Sequence, residues 1–480
     1  MLPGSPRTFD RPLRIAIVGA GPAGFYTAAA LLARRDVELR PELRIDLLDR
    51  LPTPYGLVRY GVAPDHPKIK EVVRVFERVA LDPRVRFLGN LEVGRDLSVA
   101  DLRLHYDQVV FSVGGQSDRR LGVPGEDLAG SHSSTSFVAW YSSHPDFLDL
   151  AVDLSVRAAA VVGAGNVAVD VARILGQDPE DLARTDIFDG ALALLRTSRI
   201  RDVYFVVRRG PVQAKWSPGE LKELAHLPGT DLVVDPQELE LDAGSAQELA
   251  GDLQGQKSME ILRFVAGRGP TGAARRIHLR FLVSPVAIEA GAGCVSGLGL
   301  ERNRLVGEPG SLLAESTGER STLPVGLVVR AVGYRSLPLA DLPFDARRAI
   351  IPNQRGRVLD PEAGCALPGL YVSGWIKRGP TGLIGSNKPD GAETATAMLE
   401  DLPTLATSQA GPIDALLTER GLRPVDFADW KRLDQIEVRR GAATGRPRVK
   451  FGRVQEMLAA LDALHPAGEL APKVESPAPA

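Results

Sequence analysis

Cysteine is nearly absent from this 480-residue chain. There are two, Cys294 and Cys365, far apart, and no CxxC. That excludes a redox-active dithiol and a cysteine-ligated iron–sulfur cluster. The seven histidines form no HExxH and no clustered ligand spacing, so no metal site is expected. Net charge is only -2, which gives no bulk attraction to nucleic acid. No apolar run reaches membrane-spanning length, so no span is expected. The first fourteen residues contain no apolar segment of the kind that directs export, and the reading is a cytoplasmic protein. No repeat of 20–50 residues is visible.

What the chain does have is glycine in two particular places. Gly19-Ala20-Gly21-Pro22-Ala23-Gly24 follows the apolar run Leu13–Val18, and Gly163-Ala164-Gly165-Asn166-Val167-Ala168 follows residues 158–162. Each lies between a strand-like and a helix-like run. That is the context of a dinucleotide fingerprint. The first glycine makes the tight turn, and the second lets backbone approach a pyrophosphate. The third position, Gly24 or Ala168, must be small for the helix to pack on the strand. The helix start then offers N–H groups to the phosphates. Two such turns predict two dinucleotides.

The next strand of each unit distinguishes them. Leu43–Leu48 ends at Asp49, 25 residues after Gly24, where an acid binds the ribose hydroxyls of an adenosine. Residues 203–207 end instead in Arg208-Arg209. Arginine there accommodates a 2′-phosphate, so the first unit suits FAD and the second NADP(H).

The remaining pattern predicts an α/β chain with one unit inside the other. Strands 108–113 and 327–332 both run into glycine, at Gly114-Gly115 and Gly333, and read as the two passages between domains. The FAD-binding domain is assigned to 1–116 and 333–480, and the NADP-binding domain to 117–332. Residues 51–67, rich in proline, read as an ordered loop, and 68–80 as one amphipathic helix with a basic face. Residues 237–330 read as short strands completing the inserted domain, and 466–480 as a disordered tail. Strand 369–375 leads through Trp375 to Asn387, with five glycines over 369–387, and a helix follows over 389–402. Those glycines permit close approach to a flat ring, which Trp375 could shield.

Several of these segments together, LPTPYGLVRYGVAPDHPK, GNVAVDVARIL, VVRRGPVQA, AVGYR and GWIKRGPTGLIGSNK, span roughly residues 14–400. With the first fingerprint they resemble the adrenodoxin-reductase type of ferredoxin–NADP⁺ reductase. The resemblance implies an FAD enzyme that takes reducing equivalents from NADPH and passes single electrons to a ferredoxin or adrenodoxin-like iron–sulfur protein. It implies FAD contacts at Ala23, Asp49, Leu57, Val93, Trp375, Gly382, Leu383 and Ile384. It implies NADP contacts at Arg119, Asn166, Val167, Ala168, Val169, Arg208, Arg209, Glu220 and Gly382. His66 and Glu223 match auxiliary groups near the meeting point of the two reactive rings. A basic surface of Lys68, Lys70, Arg74, Lys377, Arg378 and Lys388 would steer an acidic partner. Two departures stand out: Asp49 where the family commonly has Glu, and Pro218-Gly219 just before Glu220. A flavin monooxygenase and a redox-sensing flavoprotein without turnover are the alternative readings.

Overall fold

The computed structural model describes residues 11–33 and 42–464. The predicted tail, 466–480, lies outside the described residues. Leu13–Val18 pairs in parallel with Leu43–Leu48 on one side and Gln108–Phe111 on the other. Val85–Leu88 and Ala366–Val372 extend the parallel sheet at either edge, and two short antiparallel strands, Arg357–Leu359 and Asn353–Gln354, finish it at seven. Ile15, Ala16 and Ile17 are fully buried, as both-sided cover of a parallel sheet requires. The chain reverses its strand order beside Leu13–Val18, so the crevice for a ligand opens there.

A second parallel sheet has six strands, in the order Ser131–Ser133, Leu327–Ala331, Ala158–Gly163, Asp202–Val206, Arg275–Arg280 and Thr230–Val234. The fold is α/β, with two Rossmann-like units and the second inserted into the first. The chain leaves the first sheet and returns to it at one place. Ser117–Asp118 and Tyr334–Arg335 lie antiparallel, with Asp118 opposite Tyr334.

Beyond the crossovers, charged side chains tie the two units. The buried Lys450 Nζ donates to the carbonyls of Arg59 (3.0 Å) and Ser142 (3.2 Å) and pairs with Asp186 (3.0 Å). Arg446 reaches the carbonyls of Thr185 and Ile187, and Arg453 pairs with Asp149 at 2.6 Å.

Three segments differ from expectation. The helix over 68–80 is two helices, Pro67–Lys70 and Val73–Ala80, joined by tight turns at Glu71 and Val72. The adjacent β-branched Val72 and Val73 disfavour an unbroken helix, and the break lets Lys70 pair with Asp186 at 2.6 Å. Residues 237–330 hold more than short strands. They include the helix Leu253–Arg268 and a three-stranded antiparallel sheet whose middle strand is Cys294–Val306. The helix buries only a narrow stripe, Ser258, Met259, Leu262 and Val265, so its periodicity is weak. Finally, the helix expected over 389–402 is Asn387–Glu400, and the strand before it ends at Val372. Trp375 opens a four-residue helix instead.

Candidate dinucleotide cleft

One cleft of about 2520 Å³ runs between the two units. A site for one small ligand occupies about 300–1,000 Å³, so the space suits two large ligands. Gly19 and Gly21 line one side, and Gly163 and Gly165 another. Gly19 has φ +108°, and a Cβ there would stand 2.8 Å from the Ser112 carbonyl oxygen. Gly24 lies outside the cleft wall. A Cβ on it would fall 2.1 Å from the Gly19 oxygen, so its part is helix-on-strand packing.

Asp49 faces the cleft at the end of its strand. Its Oδ2 accepts from the Ala20 N–H (2.9 Å) and its Oδ1 from the Leu51 N–H (3.0 Å). The carboxylate thus braces the first glycine turn. Burial pushes its pKa up, and these backbone donors pull it down. Ala23, Leu57, Val93, Trp375, Gly382, Leu383 and Ile384 share this cleft. Trp375 leans on Tyr334, with ring centroids 5.0 Å apart. Asp390 accepts from the Gly374 N–H at 2.5 Å and so ties the helix Asn387–Glu400 to the chain before Trp375.

On the other side, Asn166, Val167 and Ala168 line the cleft, whereas Val169 points into the core and is fully buried. Arg208 is exposed at the wall, with no side-chain partner among the described residues. Its carbonyl is held by Asn303 Nδ2 at 2.8 Å. Arg209 makes one long contact, to the Leu312 carbonyl at 3.4 Å. Arg119 and Lys215 add two more exposed cations to the wall. Pro218 and Gly219 do no harm to the helix start. Ser217 caps Pro218–Ala225 and Pro218 takes the first helical position, where its missing N–H is harmless. Glu220 and Glu223 then fall one turn apart.

That turn completes a charge cluster that sequence reasoning only partly reached. His66 Nε2 lies 2.9 Å from Glu223 Oε2, although Glu223 itself is outside the cleft wall. The centre of the cluster is Arg173, 2% exposed. Its Nε donates to Asp65 Oδ2 (2.7 Å), its Nη2 to Asp170 (2.7 Å) and its Nη1 to Glu220 (3.1 Å). His66, Asp170 and Glu220 bring ligand-type atoms within 4.8 Å of one another, an arrangement not expected from sequence. Arg173 already supplies positive charge to both carboxylates. The Asp170–Arg173 spacing of three was legible on a helix. The partners from Asp65 and Glu220 were not.

Burial pushes Asp170 up to about 6, against the pull of Arg173 and with Glu220 adding to the rise. An acid with a raised folded pKa makes the protein more stable as pH falls from above 6 towards its ordinary value of 3.8, where the gain is complete. That gain is at most about 3 kcal/mol. Asp170→Asn is expected to raise the denaturation midpoint at pH 8 and to flatten its change between pH 6 and 4. Parallel pH curves for the two proteins would refute this.

Known proteins match this architecture. The family model for pyridine nucleotide-disulphide oxidoreductases matches residues 13–183. NADPH-ferredoxin reductase FprA of Mycobacterium tuberculosis is 45% identical, over 93% of this chain and 99% of that protein. The human mitochondrial NADPH:adrenodoxin oxidoreductase is 42% identical, over 94% and 92%. The chain belongs to the ferredoxin/adrenodoxin reductase family. A solved structure of Mycobacterium tuberculosis FprA in complex with NADPH superposes with a TM-score of 0.89, covering 94% of this chain and all of that one. Both cysteines of this chain are exposed, unpaired and outside the matched segment, so no dithiol takes part in its fold.

Proposed function

We propose that the chain is an FAD-containing reductase that draws on NADPH and delivers electrons to a ferredoxin or adrenodoxin-like iron–sulfur protein. The observation that carries this is one cleft with two glycine turns, one followed by Asp49 and the other by Arg208 and Arg209, which have no carboxylate partner among the described residues. The residues present fit both coenzymes. Above Gly21 and Gly165 there is room where a side chain would stand, and each turn opens a helix. Residues 1–116 with 333–480 would hold FAD, and 117–332 NADP(H).

FAD, when bound, supplies two-electron exchange with NADPH and one-electron exchange with the carrier. The protein's own part is placement. Asp49 fixes the FAD ribose end, and Leu57, Val93, Leu383 and Ile384 bound the rest of that side. Arg208 and Arg209 anchor the 2′-phosphate, with Arg119 as a third cation, while Gly165 through Ala168 and Glu220 border the coenzyme's path. Gly382, at φ +83°, leaves its backbone bare where the two rings meet. Trp375 covers that junction. His66 and Glu223 orient one another beside it.

The docking surface is smaller than the sequence suggested. Lys377 is buried against Asp390 (3.1 Å) and Glu393 (2.6 Å), Lys70 pairs with Asp186, and Arg378 donates to Asn387 at 2.9 Å. Exposed Lys68, Arg74 and Lys388 remain. NADPH-dependent reduction of an acidic ferredoxin is expected to slow by about tenfold or more from low to moderate salt. A salt-independent rate would remove the electrostatic docking.

No described helix is long and apolar enough to cross a membrane. A cytoplasmic location is part of the proposal, tested by cell fractionation. Anaerobic titration with NADPH tests the whole reading. The flavin spectrum should bleach, and colour should return on adding a ferredoxin. A yellow protein that NADPH fails to bleach would mean a redox sensor, and NADPH oxidation driven by an organic substrate alone would mean a monooxygenase.

A further inference from the structure

A second cavity, of about 950 Å³, lies against the paired crossover strands Ser117–Asp118 and Tyr334–Arg335. Five arginines contribute to its wall: Arg119, Arg120, Arg330, Arg335 and Arg347. Only one carboxylate does, Asp118, and it is already committed to the Thr135 N–H at 3.0 Å. Arg330 pairs with Glu126, and Arg120 with Asp127 at 2.6 Å. Arg119, Arg335 and Arg347 have no carboxylate partner among the described residues. Arg335 donates only to the Ala346 carbonyl.

The same wall holds polar atoms that are buried and unpartnered. Ser336 is 1% exposed and its Oγ has no hydrogen-bond partner. Arg330 is 9% exposed and its Nε has none, and Thr135 Oγ1 has none. Three unneutralised guanidinium groups around one cavity, those of Arg119, Arg335 and Arg347, point to an anion. Guanidinium forks match the oxygens of a phosphate. The cavity is far larger than a phosphate needs. Phe147, Phe344, Leu337 and Pro338 give it an apolar side. A ligand filling both regions has a phosphate at one end and an apolar ring at the other.

We propose that this cavity binds a phosphate monoester of the nucleoside-monophosphate class. The site adjoins the coenzyme cleft and shares with it a wall that includes Arg119, Arg120, Thr135, Phe147 and Arg347, whereas Arg330, Arg335, Ser336 and Phe344 line the second cavity alone. Arg335 and Ser336, which the coenzyme reading does not use, make it testable apart from the coenzyme assignment. Because Ser117 and Arg119 come from the outgoing crossover and Arg335 and Ser336 from the returning one, a bound ligand grips both strands that join the units.

The test is calorimetric titration of the FAD-loaded enzyme with AMP and, separately, with inorganic phosphate. AMP should bind saturably and more tightly than phosphate. Binding should weaken at least about tenfold in Arg335→Ala/Arg347→Ala and stay unchanged in Arg208→Ala/Arg209→Ala. Arg347 is exposed and unpaired, so Arg347→Ala alone keeps the fold and must still weaken AMP binding several-fold. Equal affinity for AMP and inorganic phosphate would overturn the ester assignment. No saturable binding up to about 10 mM, or loss only in the Arg208/Arg209 variant, would overturn the site.

Discussion

Replacing Arg208 and Arg209 together by alanine should raise the KM for NADPH by at least about tenfold, with an upper range of about ten-thousandfold, and leave NADH almost unaffected. Each charge-assisted bond to a 2′-phosphate contributes about 1.5–3 kcal/mol, and NADH has no group to receive one. The structure supports a clean reading of that experiment. Arg208 has no side-chain partner to lose among the described residues, and Arg209 has only the 3.4 Å contact to Leu312. The backbone beneath them is fixed independently. Asn303 Nδ2 holds the Arg208 carbonyl and also donates to Ser284 Oγ, both at 2.8 Å. Stability should therefore change little, and kcat should follow the unperturbed cleft. Equal losses with NADPH and NADH would contradict a 2′-phosphate role and imply a general collapse of the wall.

The second large effect concerns stability. Glu437 is fully buried and accepts four hydrogen bonds. Arg59 donates to both oxygens (2.9 and 2.5 Å), the Phe451 N–H to Oε1 (2.9 Å) and Arg448 to Oε2 (3.2 Å). The Arg59 guanidinium also stacks on Trp430, 4.9 Å from the ring centroid. Glu437→Ala strands a buried cation, and such a break destabilises by about 3–5 kcal/mol. The effect should reach the cofactor. Arg59 lies in the short helix Leu57–Tyr60, whose Leu57 forms part of the cleft wall. Lower denaturation midpoint and faster FAD loss should therefore appear together. Arg59→Met combined with Glu437→Leu removes both charges and should recover much of the stability. A Glu437→Ala protein with an unchanged midpoint would show that the pair contributes nothing.

The sequence made the local features legible and the distant ones not. Both glycine turns, Asp49 and the two arginines sit at fixed offsets along one supersecondary unit, so spacing alone places them. The nesting was legible because both crossing strands end in glycine. Arg173 was not, because its role comes from Asp65, 108 positions away in the chain. Glu437 was hidden in Phe427–Ala442, a helix so rich in charge that it reads as solvated. Lys377 misled for the opposite reason. A lysine in a glycine-rich segment reads as surface, whereas Asp390 and Glu393, on the following helix, fold back to cover it. Neighbours brought in by tertiary packing decide such cases, and periodicity carries no record of them.

The antiparallel meeting of Asp118 and Tyr334 has a consequence for engineering and descent. Residues opposed in this way stand about 4.5–5.5 Å apart, a gap that a two-residue hairpin turn closes. The half that carries the first glycine turn is therefore continuous in space though broken in sequence, and the inserted half is a cartridge with adjacent ends. Chain connectivity is no obstacle to exchanging it for another coenzyme module. The compatibility of a replacement would rest on the side chains that clasp the two bodies, among them Arg173 with Asp65, His66 with Glu223, Lys450 and Lys70 with Asp186, and Arg453 with Asp149.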